Sequence, residues 1–403
     1  MAGADWFRRR GVQALFTALN RDGHEARAVG GALRNTLLGL PVSDIDFAAT
    51  ALPGDIMRFA GDAGLKSIPT GIEHGTITVV VEDARYEVTT LRRDVETHGR
   101  HATVAFTRDW AADAARRDFT INALYAAADG SVVDPLGGLG DLRARRVRFI
   151  NSAGERIAED YLRILRFFRF TAEYGDGPPD AEGLAACITE RAGLARLSPE
   201  RVRTEMLRTL VARKPMAAIA PMAETGLLTG LLGGVVYPMH LARAAAIEAA
   251  LGLLPVPIRR LAALCVRIEE DAARLTTRLR LSNAEAARLD AMGRLEPAIR
   301  REMDDFSAKR ALYRVGPERF RDRVLIAWAK SADAETDAVW RGIDQLPGRW
   351  TPPSFVLGGQ DLMARGLKPG PQIGAALREL EAKWIASDFT LSRDELLQGL
   401  RTE

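Results

Sequence analysis

The chain has 403 residues, 47% of them hydrophobic, and a formal net charge of only +3. That is long for a single core and apolar enough for packed ones, so two or more globular domains are expected, with no low-complexity tract or solenoid repeat. Cys187 and Cys265 form neither a disulfide framework nor a metal pattern, residues 1–13 lack the apolar stretch of a secretory leader, and no apolar run reaches bilayer length. The composition points to a cytoplasmic protein without a membrane partner.

In chain order, residues 26–29 read as a short strand that enters the turn Gly30-Gly31. Paired glycines allow positive φ and a close approach of the backbone to a ligand. Residues 32–38 read as a short helix with Leu33, Leu37 and Leu38 on one side and Arg34 on another; its first N–H groups, beside the glycines, are a ready place for phosphate. Gly39 and Pro41 close the helix, and a second strand follows with Asp44 and Asp46 on one face and Ile45 and Phe47 on the other. Two carboxylates at that spacing are oxygen ligands suited to Mg²⁺, which takes one or two carboxylates and completes its shell with water and substrate phosphate. Asp-x-Asp alone reads better as a solvated strand end with two acids. The glycine turn, helix, arginine and paired acids within one unit read as a metal-and-triphosphate site.

Residues 76–81 and 85–91 read as a hairpin. Glu87 in its second strand is either a third acid facing Asp44 and Asp46 or a solvated, ion-paired strand residue. Residues 92–111 lose all periodicity and read as a long loop. Next come Arg116-Arg117-Asp118-Phe119-Thr120-Ile121-Asn122, whose Arg, Asp and Asn could meet phosphate and sugar oxygens, and a glycine-rich stretch, 134–142, read as an interdomain hinge.

From residue 155 the pattern is helical. Asp160, Arg163, Arg166 and Arg169 recur every three residues and are expected on one stripe of a helix that is apolar elsewhere. Helical spacing alone does not separate a salt-bridged surface from a site. Ser198 is placed as the N-cap of a helix carrying the basic residues Arg201, Arg203 and Arg208. Beyond about residue 221 helix follows helix, relieved by a turn-helix-turn pattern at 358–371.

In order along the chain, Gly-Gly-x-x-Arg with Asp-x-Asp, Arg-Arg-Asp-Phe-Thr-Ile-Asn-Ala, Asp-Pro-x-Gly-Gly-x-x-Asp-Leu, Glu-Asp-x-x-Arg and Asp-Leu-Met-x-x-Gly-Leu-x-Pro-Gly-Pro resemble the class II, bacterial-type tRNA nucleotidyltransferases and poly(A) polymerases. The resemblance implies an α+β fold: a polymerase-β-like nucleotidyltransferase head at 1–146, a helical neck at 147–220 and a helical body and tail at 221–403. It implies catalytic acids Asp44 and Asp46 on Mg²⁺ and nucleotide contacts from Gly31, Arg34 and Arg117; Gly30 of the same turn joins the nucleotide contacts and Glu87 stands as the candidate third catalytic acid from its place in the strand. Asp118 and Asn122 would meet the ribose, and Asp160, Arg163, Arg166 and Arg169 would select the nucleotide. The implied reaction is attack of an RNA 3′-hydroxyl on the α-phosphorus of CTP or ATP. The implied partner is tRNA, held at its acceptor arm and 3′ end, with Arg201, Arg203 and Arg208 as candidate RNA contacts and the chain a monomer or homodimer. CCA addition leads, followed by poly(A) polymerase and CC-only or A-only enzymes, with a non-catalytic RNA-binding module as the remote alternative. One position departs from the family pattern: Asn35 stands where an aspartate usually follows the arginine, which removes an ionic partner for Arg34. No His-Asp pair occurs, so no phosphohydrolase domain of the kind found in some relatives is expected.

Overall fold

The computed structural model describes residues 1–98 and 101–398. These divide into two compact units, one of residues 1–233 with 278–280, the other of 234–277 with the residues from 281 onward.

The first unit opens on α1 (Arg10–Leu19), whose Val12, Leu15, Phe16 and Leu19 recur at helical spacing and are all buried. Then come β1 (Ala26–Val29), α2 (Gly31–Leu37), β2 (Asp46–Ala49), α3 (Pro53–Asp62), β3 (Lys66–Gly71), β4 (Thr76–Val81) and β5 (Ala84–Thr90). After β6 (Arg92–His98), β7 (His101–Phe106) and α4 (Trp110–Ala115), the short strands β8 (Tyr125–Ala126) and β9 (Val132–Val133) complete a seven-stranded sheet of order β3-β4-β5-β2-β1-β8-β9. Only the central pair β2 and β5 runs parallel. Strand alternation sends Phe47 to the face where it meets Phe16 and Tyr86. Ala48, with Val29, Leu91, Tyr125 and Ile150, packs on the other face. Asp46 shares that second side but sits at the strand's open start.

Three expectations change here. Residues 92–98 and 101–106 are not a loop: β6 and β7 pair antiparallel, a ribbon whose mostly polar and small residues carry no apolar period to read; residues 99–100 lie outside the described residues. β2 begins at Asp46, so Asp44 precedes the strand instead of sharing it. The stretch read as a hinge folds into α5 (Gly138–Arg143), whose Gly138 and Leu139 N–H groups donate to the Asp134 carboxylate at 2.8 and 2.9 Å. Buried Asp141 then accepts from Thr120 Oγ1 (2.7 Å), Arg146 Nε (2.8 Å) and Arg148 Nε (3.0 Å), pulling the basic run back onto the sheet domain.

The unit continues through α6 (Ala153–Glu159), α7 (Leu162–Tyr174), α8 (Ala181–Thr189) and α9 (Pro199–Leu210). Phe167 of α7 lies 5.3 Å from Phe149, itself 5.0 Å from Phe119, so a chain of rings fixes α7 against the strand-rich part. Ser198 holds the N-cap position of α9, but its side chain makes no cap bond.

The second unit is helical, with Phe320, Val324 and Trp328 of the helix Pro317–Lys330 among its buried residues. Two of its buried acids are each shared between arginines, Glu248 by Arg259 and Arg260 and Asp322 by Arg259 and Arg288, and a third, Asp344, pairs with Arg321. A separate cluster of Leu357, Leu362, Leu380 and Trp384 closes its end, and the turn-helix-turn pattern becomes the helix Gly359–Ala364 before Pro371–Ala386. Among the described residues no helix is long and apolar enough to cross a membrane.

A Cβ on Gly138 would stand 2.2 Å from the Thr120 carbonyl oxygen, a backbone atom that cannot swing aside. Gly138→Ala is expected to cost about 1–3 kcal/mol, as overpacking does, read as a lower denaturation midpoint of the full chain. An unchanged midpoint would mean that α5 is not seated on Thr120.

Candidate functional site

Each part of the site has a local cause. Gly30 takes φ 71° and ψ −114°, a conformation L side chains rarely adopt, so the chain can leave β1 and start α2 at once. β1 lies next to β2, and β2 next to β5 in a register that puts Glu87 beside Asp46, about 4.8 Å across the strands. After α4 the chain turns at Arg116, Arg117 and Asp118 and runs through Asn122 toward β8. The end of α6, the start of α7 and Arg201 of α9 close the far side. Together these segments line a cavity of about 530 Å³ that includes Gly30, Gly31, Arg34, Asp46, Glu87, Arg117, Asp118, Asn122, Asp160, Arg163, Arg166 and Arg201.

Arg34 is buried, and all its hydrogen-bond partners are neutral. Its Nη1 donates to Asn122 Oδ1, its Nη2 to Tyr174 Oη (2.7 Å), and its Nε and Nη2 to Asn35 Oδ1 at 3.2 and 3.0 Å. Asn35 in turn donates to the Pro41 carbonyl at 2.8 Å. The amide therefore keeps the orienting contact that an aspartate would make and leaves the guanidinium charge unneutralised. Burial pulls the pKa of Arg34 down against the opposing pull of Tyr174 and Asp118.

Asp118 is paired instead with Arg166, whose Nε donates at 2.8 Å, while Asn122 Nδ2 and the Phe119 N–H donate to its other oxygen, each at 2.9 Å. Burial opposes its ionisation, yet Arg166 and these hydrogen bonds hold its pKa below the usual carboxylate value. Asp46 behaves oppositely. It is reachable by solvent at the cavity mouth but hemmed in by protein, and this partial desolvation, with Glu87 and Asp44 nearby, pushes its pKa up against the pull of Arg117. Acids crowded in this way suit a divalent cation. Among the described residues no three His, Cys, Asp or Glu side chains stand together as a complete metal cage. The donors present fit a hard cation that uses one or two carboxylates and draws its other ligands from water and phosphate.

The stripe expected from the spacing of Asp160, Arg163, Arg166 and Arg169 is broken. Asp160 has extended backbone (φ −154°, ψ 106°) between α6 and α7, accepts from the Leu162 N–H at 3.1 Å, and is held by Arg201 Nη2 at 2.6 Å. Arg163 pairs with Glu159, four residues before it, and donates to the Arg156 carbonyl at 2.8 Å. Arg169 does not line the cavity; its Nε donates to buried Glu205 of α9 at 2.6 Å. Arg201, expected on an RNA face, lines the cavity instead. Arg203 bonds the Arg280 carbonyl, and Arg208 is exposed on α9. Asp44 is exposed, with its carboxylate accepting from Ser43 Oγ at 2.9 Å. Sequence reasoning passed over Asp113, Tyr174 and Glu205, and gave Glu159 no role although it opens the Glu-Asp-x-x-Arg motif. The four-residue spacing of Glu159 and Arg163 was a readable signal; nothing local marks Tyr174 or Glu205.

A mixed sheet that carries a glycine turn and adjacent acids beneath an arginine-rich cavity is the head of a nucleotidyltransferase. Residues 26–148 match the family model described as the poly A polymerase head domain, and residues 180–237 the model described as a probable RNA and SrmB-binding site of polymerase A. The mitochondrial CCA tRNA nucleotidyltransferase 1 of Mus musculus is 33% identical over 400 residues, covering 97% of this chain and 90% of that protein. A CCA-adding enzyme of Limosilactobacillus fermentum is 30% identical over 401 residues, covering 96% and 95%. The crystal structure of the Bacillus stearothermophilus CCA-adding enzyme in complex with CTP superposes with a TM-score of 0.72 at 27% identity, over 96% of this chain and 94% of that one. The chain belongs to the family of CCA tRNA nucleotidyltransferases that carry the poly(A) polymerase head.

Because Asp118 has a folded pKa below its unfolded value of about 3.9, its pairing stabilises fully above that pH and is lost as the pH falls through the folded value. Asp118→Asn is therefore expected to cost about 1.5–3 kcal/mol near neutrality, a deficit that shrinks as the wild type is acidified below about pH 4. Urea denaturation of both proteins across that range measures it, and a deficit independent of pH would contradict the pairing.

Proposed function

We propose that this chain adds CMP and AMP residues to the 3′ end of tRNA, completing CCA from CTP and ATP without a nucleic acid template. The observation that carries the reading is the cavity itself, where arginines outnumber acids and one guanidinium, that of Arg34, is buried among neutral partners only. A triphosphate supplies the missing negative charge. The near full-length likeness to proteins named CCA-adding enzymes supports tRNA as the acceptor.

In this reading the 3′-hydroxyl oxygen of the RNA forms a bond to the α-phosphorus while the bond from that phosphorus to the β-phosphate oxygen breaks and pyrophosphate leaves. Arg34 and Arg117 hold the leaving phosphates. Asn122 turns the second N–H of its amide to the ribose, oriented by Asp118, whose acceptor sites are taken by Arg166, Asn122 and the Phe119 N–H. Asp44 and Asp46, with Glu87 next to Asp46, would hold Mg²⁺; when bound, the ion supplies charge neutralisation at the phosphates and lowers the pKa of the attacking hydroxyl. Base choice rests on an acceptor, Asp160, and a donor, Arg163, fixed from opposite sides by Arg201 and Glu159. Cytosine and adenine both present an amino donor next to an acceptor and satisfy that pair; uracil and guanine place a carbonyl where the amino group belongs.

Exposed Arg208 and neighbouring Arg203 on α9 are proposed RNA contacts, with Arg201 reassigned to the nucleotide cavity. The division into head (1–146), neck (147–220), and body with tail (221–403) is proposed on the same footing; the family model at 26–148 supports the end of the head, whereas the one at 180–237 runs across the limit between neck and body. A cytoplasmic setting is favoured by two free, buried cysteines, although similar proteins are named mitochondrial.

Incubation with Mg²⁺ and tRNA lacking its last three nucleotides tests the reaction. CTP alone is expected to extend it by two, CTP with ATP by three, and ATP alone by none; long A tracts would identify a poly(A) polymerase instead. Asp160→Ala is expected to lower kcat/KM for CTP and relax rejection of UTP, cutting selectivity roughly tenfold to a hundredfold as a charged hydrogen-bond partner is lost. An unchanged ratio of CTP to UTP would remove Asp160 from base choice.

A further inference from the structure

Asp113 does not line the cavity, yet it fixes two arginines that do. It sits one turn into α4, with its side chain 1% exposed. One carboxylate oxygen accepts from Arg116 Nε at 2.8 Å and lies 3.5 Å from the backbone nitrogen of Arg92, at the foot of the β6–β7 ribbon. The other accepts from Arg117 Nη2 at 3.0 Å and from Tyr125 Oη at 2.8 Å. Tyr125 Oη also receives Arg117 Nε at 3.3 Å, and its ring lies beneath that guanidinium.

With Nε and Nη2 engaged in this way, Arg117 has Nη1 left over. That nitrogen stands 3.9 Å from the point where a Cβ on Gly30 would be, so it faces the glycine turn. Arg34 Nη2 borders the same turn, 3.6 Å from the corresponding point on Gly31. The adjacent guanidinium groups of Arg116 and Arg117 repel one another. A single carboxylate behind them relieves the repulsion and still leaves one net positive charge directed at the cavity. Burial opposes the ionisation of Asp113, but Arg117, Arg116 and Tyr125 hold it ionised.

We infer that Asp113 is a positioning residue: it aims Arg117, with Arg116 beside it, at the β- and γ-phosphates of the incoming nucleotide and anchors the foot of the ribbon to that pair. This deepens the proposed function and rests on it. The role concerns phosphates and not base or sugar, so it separates from a general structural role by the ligand it affects.

The test is calorimetric titration of wild type and Asp113→Asn with CTP and with CMP, alongside binding of tRNA. Loss of the charged partner is expected to weaken CTP roughly tenfold or more, leaving CMP and tRNA affinities unchanged, so the preference for CTP over CMP collapses. A folded variant with the wild-type preference would overturn the inference, as would equal losses for both nucleotides. If the amide variant does not fold, Asp113→Glu keeps the charge but displaces it by one methylene. It is expected to reduce the same preference by a smaller factor, and an unaltered preference would again overturn the role. A wild type that favours CTP over CMP but extends no tRNA would sink the proposed reaction and leave Asp113 judged on its own result.

Discussion

The cavity of the first unit is lined by seven arginines and four carboxylates, and the carboxylates are already apportioned. Asp118 belongs to Arg166 and Asp160 to Arg201, while Asp46 and Glu87 stand together at the mouth. Arg116 and Arg117 share Asp113 and Arg163 takes Glu159, so the arginines still outnumber the acids that hold them, and Arg34 is held by the neutral groups Asn35, Asn122 and Tyr174. Burying an unpaired cation costs stability, and a fold tolerates it where a ligand returns the missing charge. A small region of negative charge at the mouth, next to a larger positive one inside, matches a polyphosphate accompanied by a divalent cation.

The rest of the unit keeps this imbalance in place. The sheet core of Phe16, Phe47 and Tyr86 fixes β2 and with it Asp46, while the rings of Phe119, Phe149 and Phe167 hold α7 and its arginines against the segment that carries Asp118. Each arginine is tied down by a partner from a different element: Arg163 by α6, Arg166 by the turn after α4, Arg169 by α9, and Arg117 by α4. The helix α7 therefore works as a rack whose side chains are sorted by their surroundings. Arg166 and Arg163 reach the cavity, and Arg169 ties the rack to its neighbour.

Much of this was legible in the amino-acid order, for definable reasons. β1 matches its expected limits at 26–29 because a short apolar run between a polar turn and two glycines has few other solutions. The hairpin at 76–90 and the α+β division were read from period-two and helical patterns. Helical spacing misled at Asp160, because a helix that ends at Glu159 and another that starts at Leu162 preserve the three-residue rhythm while the backbone at Asp160 is extended. The ribbon at 92–106 gave no apolar alternation. The partners of Arg169 and Arg201 could not be read at all, since Glu205 and Asp160 lie 36 and 41 residues away and are brought close only by the packing of α7 on α9. Asp113 was overlooked for a related reason: an acid four residues before an arginine reads as an ordinary surface pair until Tyr125 and the ribbon foot bury it.

The central claim is that unneutralised arginine charge in the cavity is what receives the nucleotide's phosphates. Its most direct test is the thermal midpoint of the protein, without RNA, as inorganic pyrophosphate is added to wild type and to Arg34→Gln. Binding to the folded state raises the midpoint by mass action, so wild type should gain stability progressively, and less so at high salt. The variant, relieved of its buried cation, should begin at least as stable and gain little. A wild-type midpoint indifferent to pyrophosphate, or an equal rise in both proteins, would contradict the claim.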